Sequence, residues 1–260
     1  MQKKGKIAGI IQARMGSSRL PGKVMSDVCG VPAIKLMCDR LNNCTSLDQI
    51  IVATSANNTD DVLCDFLAKN KIKYYRGNED DVLRRFIEAA KINKINHIAR
   101  LTGDCPLIDC SIVDKCASEY LQDENLDYVS STTLSPHYPR GQDVEVFSLK
   151  SLMLVNDYVL DDKFREHVSL YIYTDGVNRF GFSCKPCSPT TYHINKDIRL
   201  TLDYPEDYEL IKKIIEQLGH NCTLKEIIEL LNKKPELIDF NKKCMQQASY
   251  PNNHTRISIN

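Results

Sequence analysis

The sequence lacks an excess of charge of either sign: 34 lysines and arginines balance 34 aspartates and glutamates, so the formal net charge is zero. A nucleic-acid-binding chain ordinarily carries a basic surplus, so no nucleic-acid partner is expected. No apolar run approaches the roughly 20 residues needed to span a bilayer, and no membrane partner is expected either. The opening "MQKKGK" is basic, but the "IAGIIQA" behind it is too short for a secretory leader and runs straight into charge. Internal repeats, low-complexity tracts and Gly/Ser linkers are also missing. The economical reading is a single domain over residues 1–240 and an irregular polar tail over 241–260. Glycine and proline are few, and 42% hydrophobic with 26% charged residues is an ordinary soluble composition. Cysteine is plentiful, at 11, but the number is odd and the residues scatter through strand and helix patterns. They read as small reduced core residues of a cytoplasmic protein rather than a disulfide framework.

What is present is alternation. Short apolar runs at 7–13, 49–55, 72–77 and 97–104 read as strands. Amphipathic stretches at 33–44, 59–71 and 79–94 read as the helices between them, with Thr59 or Asp60 capping the second. Strand–helix alternation of this kind predicts an α/β fold with a mainly parallel sheet covered on both faces. The second half is mixed. Strands are expected at 127–132, 144–148, 165–174, 179–184 and 198–203, and helices at 148–159, 205–219 and 224–234. Little room separates the late strands, so an antiparallel arm is expected within 135–200.

In an open parallel sheet, ligands bind beyond the carboxyl ends of the strands. The loop after the first strand reads "IIQARMGSSRLPGKVM" and gathers Arg14, Ser17, Arg19 and Lys23 among glycines. Small residues let backbone amides approach an anion, while arginine forks and a lysine point charge suit phosphate oxygens. Val24 stands where a Walker A motif needs Ser or Thr. The bland alternative is a solvated basic turn. Asp104 ends the strand at 97–104, and Asp203 ends the run "IRLTLD". One strand-end aspartate before proline is ordinary turn chemistry. Two on neighbouring strands can hold Mg²⁺, with substrate phosphates completing its shell. Cations plus a carboxylate pair are what phosphoryl or nucleotidyl transfer requires.

Other features favour plainer readings. Cys184 and Cys187 form C-x-x-C with His193 following, but two further zinc ligands are missing at good spacing. The charges "EDD" in 79–81 read as a solvated helix face. Tyr74, Tyr75, Tyr171 and Tyr173 read as strand aromatics of the core or an interface. His167 reads as a packed histidine on a half-buried strand with Arg165 beside it, or as a base for an attacking hydroxyl.

The opening motif resembles that of the CTP-dependent sugar-acid cytidylyltransferases, the group that includes the CMP-sialic acid and CMP-3-deoxy-octulosonate synthetases. "RGNEDDVLRRF", "RLTGDCPLID", "GQDVEVFS", "REHVSLYIY" and "LTLDYPEDYELI" resemble the branch associated with spore-coat polysaccharide biosynthesis. The resemblance covers roughly residues 5–219. It implies a three-layer α/β/α sandwich of the nucleotide-diphospho-sugar transferase type, CTP and a sugar-acid or sugar- or polyol-phosphate acceptor as substrates, Mg²⁺, and a homodimer. By the same likeness, Arg14, Ser17, Arg19 and Lys23 match the phosphate-binding turn, and Asp104 and Asp203 the metal aspartates. Arg14, Lys23, Asp104 and Asp203 would then be the catalytic set. Asn78 and Asp81 fall where the family recognises the nucleoside, and Thr102 beside the metal loop. Arg140, Gln142, Asp143, Glu145, Arg165 and His167 fall in the segments that shape the acceptor pocket. Thr102 replaces the glutamine usual in the octulosonate and sialate enzymes, and "IQAR" replaces their "IPAR", which departs from a sialic or octulosonic acceptor. A nucleotide-sugar-binding subunit without activity, and a transferase using another nucleotide, remain as alternatives.

Overall fold

The computed structural model describes residues 3–135, 137–189 and 198–244. The strands are β1 (Ile7–Gln12), β2 (Asp27–Val28), β3 (Val31–Pro32), β4 (Gln49–Ser55), β5 (Tyr74–Gly77), β6 (His97–Thr102), β7 (Tyr128–Ser130), β8 (Glu145–Ser148) and β9 (Cys184–Pro186). β2 and β3 form a small hairpin; the others make one sheet in the order β5-β4-β1-β6-β8-β7-β9. β8 alone in that sheet runs against its neighbours. The chain therefore builds a mixed, mainly parallel sheet, as the alternation predicts.

Each central strand is apolar on both faces, so the sheet must be covered twice. Ile7 and Ile11 of β1, Leu101 of β6 and Val146 of β8 face one core. Helices α1 (Ala33–Leu41), α2 (Asp61–Lys69), α4 (Cys110–Gln122), α9 (Pro205–Leu218) and α10 (Leu224–Lys233) contribute to it. Ala8, Ile10, Ile98, Tyr128 and Phe147 face the other core, against α3 (Val82–Ile92), α5 (Leu149–Tyr158) and α7 (Leu170–Tyr173). No described helix is long and apolar enough to cross a membrane.

Three expected strands are not strands of this sheet. Residues 165–174 lie in α6 (Asp162–Glu166) and α7, joined through Val168 at φ 53°. Leu170, Tyr171 and Ile172 are buried in a row, a run that a short buried helix shares with a strand covered on both faces. Asp161 accepts from the Lys163 amide at 2.9 Å and starts the first of these helices. Arg179 and Phe180 end α8 (Asp175–Phe180), where Gly181 at φ 71° turns the chain out, and the strand follows later as β9. Residues 198–203 form no strand, and among the described residues their bridge is the isolated one of Arg140 with Arg199. Asn241 is buried, and its amide donates to Arg199 O and to Asp207 Oδ1. His193 and residues 245–260 of the expected tail lie outside the described residues.

Candidate active site

The opening turn is shaped from below by a residue the motif does not contain. Asp60, buried before α2, accepts from Met15 N at 2.7 Å, Thr54 Oγ1 at 2.9 Å and Ser55 N at 3.0 Å. It stands at the N-cap position of α2, as one of the two expected caps, but its carboxylate makes no capping bond and ties the turn to the end of β4 instead. Burial would raise its pKa, but the hydrogen bonds from Ser55, Met15 and Thr54 outweigh burial and hold it below the usual carboxylate range. Within the turn, Gly22 N donates to Met15 O at 3.0 Å, and Ser17 Oγ accepts from Leu20 N at 3.3 Å.

Asp104 and Asp203 reach the same lysine because the 198–203 segment is threaded between two loops. Leu200 N donates to Arg140 O at 2.8 Å, and Leu202 N donates to Asp104 O at 2.7 Å. Gly141 makes the first contact feasible. At φ 96°, a Cβ there would lie 2.5 Å from the carbonyl carbon of Leu200. Lys23 Nζ sits between the carboxylates, 3.2 Å from Asp104 Oδ2 and 2.7 Å from Asp203 Oδ1. Arg19 reaches Asp203 Oδ1 at 2.8 Å, and Arg199 reaches its other oxygen at 2.8 Å while also holding Asp207. Burial alone would lower the Lys23 pKa, yet Asp104 and Asp203 outweigh it and raise it. For Asp104 the balance is the mirror image: burial pushes up, while Lys23 and bonds from Thr102 and Cys105 bring the pKa down. Arg14 pairs with Glu79 Oε1 at 2.9 Å.

The donor set suits a hard divalent cation. Two carboxylates converge where a positive charge already sits, and oxygen ligands from substrate phosphates would complete a magnesium shell. Among the described residues no third His, Cys, Asp or Glu joins them.

The remaining expected residues spread around this centre. Asn78 Oδ1 accepts from Asp80 N and Asp81 N, both at 2.8 Å, and Asp81 caps α3 through Arg84 N at 3.0 Å. Arg165 donates to the other Asp81 oxygen at 2.6 Å, so an expected acceptor residue and an expected nucleoside residue hold each other. Gln142 is fully buried, its amide spent on Asp109 N and Leu107 O. Asp143 accepts from Thr132 Oγ1 at 2.5 Å and Gly141 N at 2.8 Å, and burial raises its pKa. Glu145 pairs with Arg100 and accepts from Tyr128 Oη at 2.6 Å and Ser169 Oγ at 3.0 Å. His167 follows α6 rather than lying on a strand beside Arg165, and burial is the foremost cause that lowers its pKa. Cys187 hydrogen-bonds with the Cys116 thiol.

Arg100 and Arg199 were not singled out by the sequence, while Asp60 was read only as a helix cap and Glu79 only as part of a solvated helix face. For Arg100 and Arg199 a signal existed: a charged residue inside an apolar run, "HIARLT" or "IRLTLD", requires a buried partner.

Known proteins resemble this chain over nearly its whole length. An uncharacterised protein of Methanocaldococcus jannaschii is 34% identical over 94% of this chain and 97% of its own. The spore coat polysaccharide biosynthesis protein SpsF of Bacillus subtilis is 33% identical over 87% of this chain and 94% of its own. The solved structure of a cytidylyltransferase from Leptospira borgpetersenii superposes with a TM-score of 0.83 at 32% identity, covering 90% of this chain and 96% of that one. The cytidylyltransferase family model matches residues 8–234, from β1 to the end of α10, and so takes in the basic turn and both aspartates. With the sheet, the turn and the sequence all in agreement, the chain belongs to the cytidylyltransferase family.

Proposed function

We propose that the protein transfers the CMP unit of CTP to a sugar acid, or to a phosphorylated sugar or polyol, and releases pyrophosphate. The observation that supports this most is the Asp104–Lys23–Asp203 bridge beside the glycine- and serine-rich turn. Mg²⁺ held by Asp104 and Asp203 would supply positive charge to the triphosphate. Ser17, Arg14, Arg19 and Lys23 would bind phosphate oxygens. Arg14 is exposed enough to leave Glu79 cheaply, since such surface pairs are worth about 0–1 kcal/mol. An acceptor oxygen then attacks the α-phosphorus in line; the bond to the bridging oxygen breaks and pyrophosphate leaves with that electron pair. Catalysis here is chiefly positioning and electrostatics. Arg140, Asp143 and His167 would face the acceptor, whereas the carboxylate of Glu145 is taken by Arg100, Tyr128 and Ser169. The lowered pKa leaves His167 a neutral imidazole at pH 7, able to take the proton of an attacking hydroxyl.

The test is pyrophosphate release with each of the four nucleoside triphosphates, Mg²⁺ and a panel of sugar acids, sugar phosphates and polyol phosphates. Release with CTP alone is expected. Release with another triphosphate instead, or with none across the panel, would overturn the proposal.

A further inference from the structure

Arg85 is physically out of place. Its residue is 1% exposed, and among the described residues its hydrogen bonds run to backbone carbonyls alone. Nη1 donates to Asn78 O and to Glu79 O, while Nε is buried without a partner. An arginine taken out of water with no carboxylate on its fork is costly. Burial accordingly lowers its pKa, with nearby Arg14 adding to the effect.

What this cation does is fix the loop between β5 and α3. With both carbonyls turned onto the guanidinium and Asn78 Oδ1 taken by the amides of Asp80 and Asp81, the loop uses these acceptors internally. Gly77 is part of the arrangement: a Cβ there would sit 3.0 Å from Arg85 Cγ and 3.1 Å from Tyr75 Cε1. The acceptor that stays toward the basic turn is the Glu79 carboxylate. Its side chain is 33% exposed, with Oε1 on Arg14 and Oε2 on Asn57. A Cβ on Gly16 of the turn would lie 3.9 Å from Oε1.

We propose that Glu79 is the residue that selects cytosine, and that Arg85 is the positioning residue that sets it. The inference rests on CTP being the substrate with its triphosphate on residues 14–23. A carboxylate only accepts hydrogen bonds. Cytosine offers an exocyclic amino donor where uracil offers a carbonyl oxygen, so the same oxygen binds one base and repels the other. The Arg14–Glu79 pair is exposed and weak. When phosphate draws Arg14 away, Oε1 is released for the amino group, so one arginine couples the phosphate end of the nucleotide to its base end.

Calorimetric titration of the full chain with CTP, UTP and inorganic tripolyphosphate, each with Mg²⁺, tests this. The wild type is expected to favour CTP over UTP by about tenfold or more. Glu79→Gln, whose carboxamide offers both donor and acceptor, should bring that ratio to within about threefold while tripolyphosphate binding is kept. Arg85→Lys should move the ratio the same way by a smaller factor, again sparing tripolyphosphate. Gly77→Ala, which crowds Arg85, gives a second reading if Arg85→Lys does not fold. An unchanged CTP:UTP ratio in Glu79→Gln overturns the inference. So does equal loss of all three ligands in both variants, since that marks a structural role. If the wild type itself ignores the base, the CTP reading falls with it; if the wild type selects and the variants still select, only this inference falls.

Discussion

Two polar clusters lie near the carboxyl end of the sheet and complete themselves differently. Around Glu145 the shell is finished by hydroxyls: Tyr128, Ser169 and Thr133 all donate to one oxygen, and Arg100 takes the other. Around Asp203 the shell is finished by charge, with Arg19, Lys23 and Arg199 on one carboxylate. Neutral hydroxyls aimed at a fixed oxygen have nothing to gain from leaving it. Cations crowded on a carboxylate can exchange it for a phosphate, provided that a divalent cation pairs the buried carboxylate they leave. The first arrangement holds architecture together, and the second can turn over a ligand. Glu79 with Arg14 belongs to the second kind, and Arg85 with its carbonyls to the first.

Removing one carboxylate from each cluster separates the two roles. Asp104→Asn should lower turnover by about a thousandfold or more, because the charge facing the triphosphate is lost, while the thermal midpoint and circular dichroism stay near wild type. A variant with near-normal pyrophosphate release would remove Asp104 from the site. Glu145→Gln should do the reverse in kind. It strands the Arg100 charge among buried side chains, and urea unfolding should show a loss of about 3 kcal/mol. A stability close to wild type there would mean that the hydroxyl-finished cluster also exchanges its partners, which erases the contrast.

The same contrast explains what could be read from sequence. From β1 through α3 all but the two-residue strands β2 and β3 was legible, because the longer strands are short apolar runs and the helices long amphipathic ones, with periods that differ clearly. Residues 162–180 were not, because helices of four to six residues are too short to show a period. Their buried run Leu170–Ile172 imitates a strand. Residues 198–203, expected as a strand, pair with the loops at Arg140 and Asp104 rather than with the sheet. Asp104 and Asp203 were visible as carboxylates at the ends of apolar runs. That one lysine would join them depends on the thread between two loops, which no local pattern encodes. Glu79 and Arg85 sit in "NEDDVLRRF", where charges look like a solvated helix face. Only burial distinguishes Arg85 at 1% exposure from Arg84, whose side chain is 64% exposed.

The smallest effect bears most directly on partner exchange. If Lys23 occupies the place a divalent cation would take between Asp104 and Asp203, metal alone must first displace an ammonium held by two carboxylates. Its raised pKa means the ammonium does not leave by losing its proton near neutral pH. Lys23→Met keeps a chain of similar length in a site where the lysine side chain is 13% exposed, and removes the competing charge. Mn²⁺ titrated without nucleotide, followed by electron paramagnetic resonance, should then bind about tenfold more tightly to the variant than to wild type, as expected for relief of one like charge at close range. With CTP present the gain should vanish or reverse, because on the proposed reading Lys23 would move to the phosphates and assist the metal instead of opposing it. Equal Mn²⁺ affinity of the two chains without CTP would show that Lys23 is a fixed strut of the Asp203 cluster, and would place that cluster with Glu145 on the architectural side.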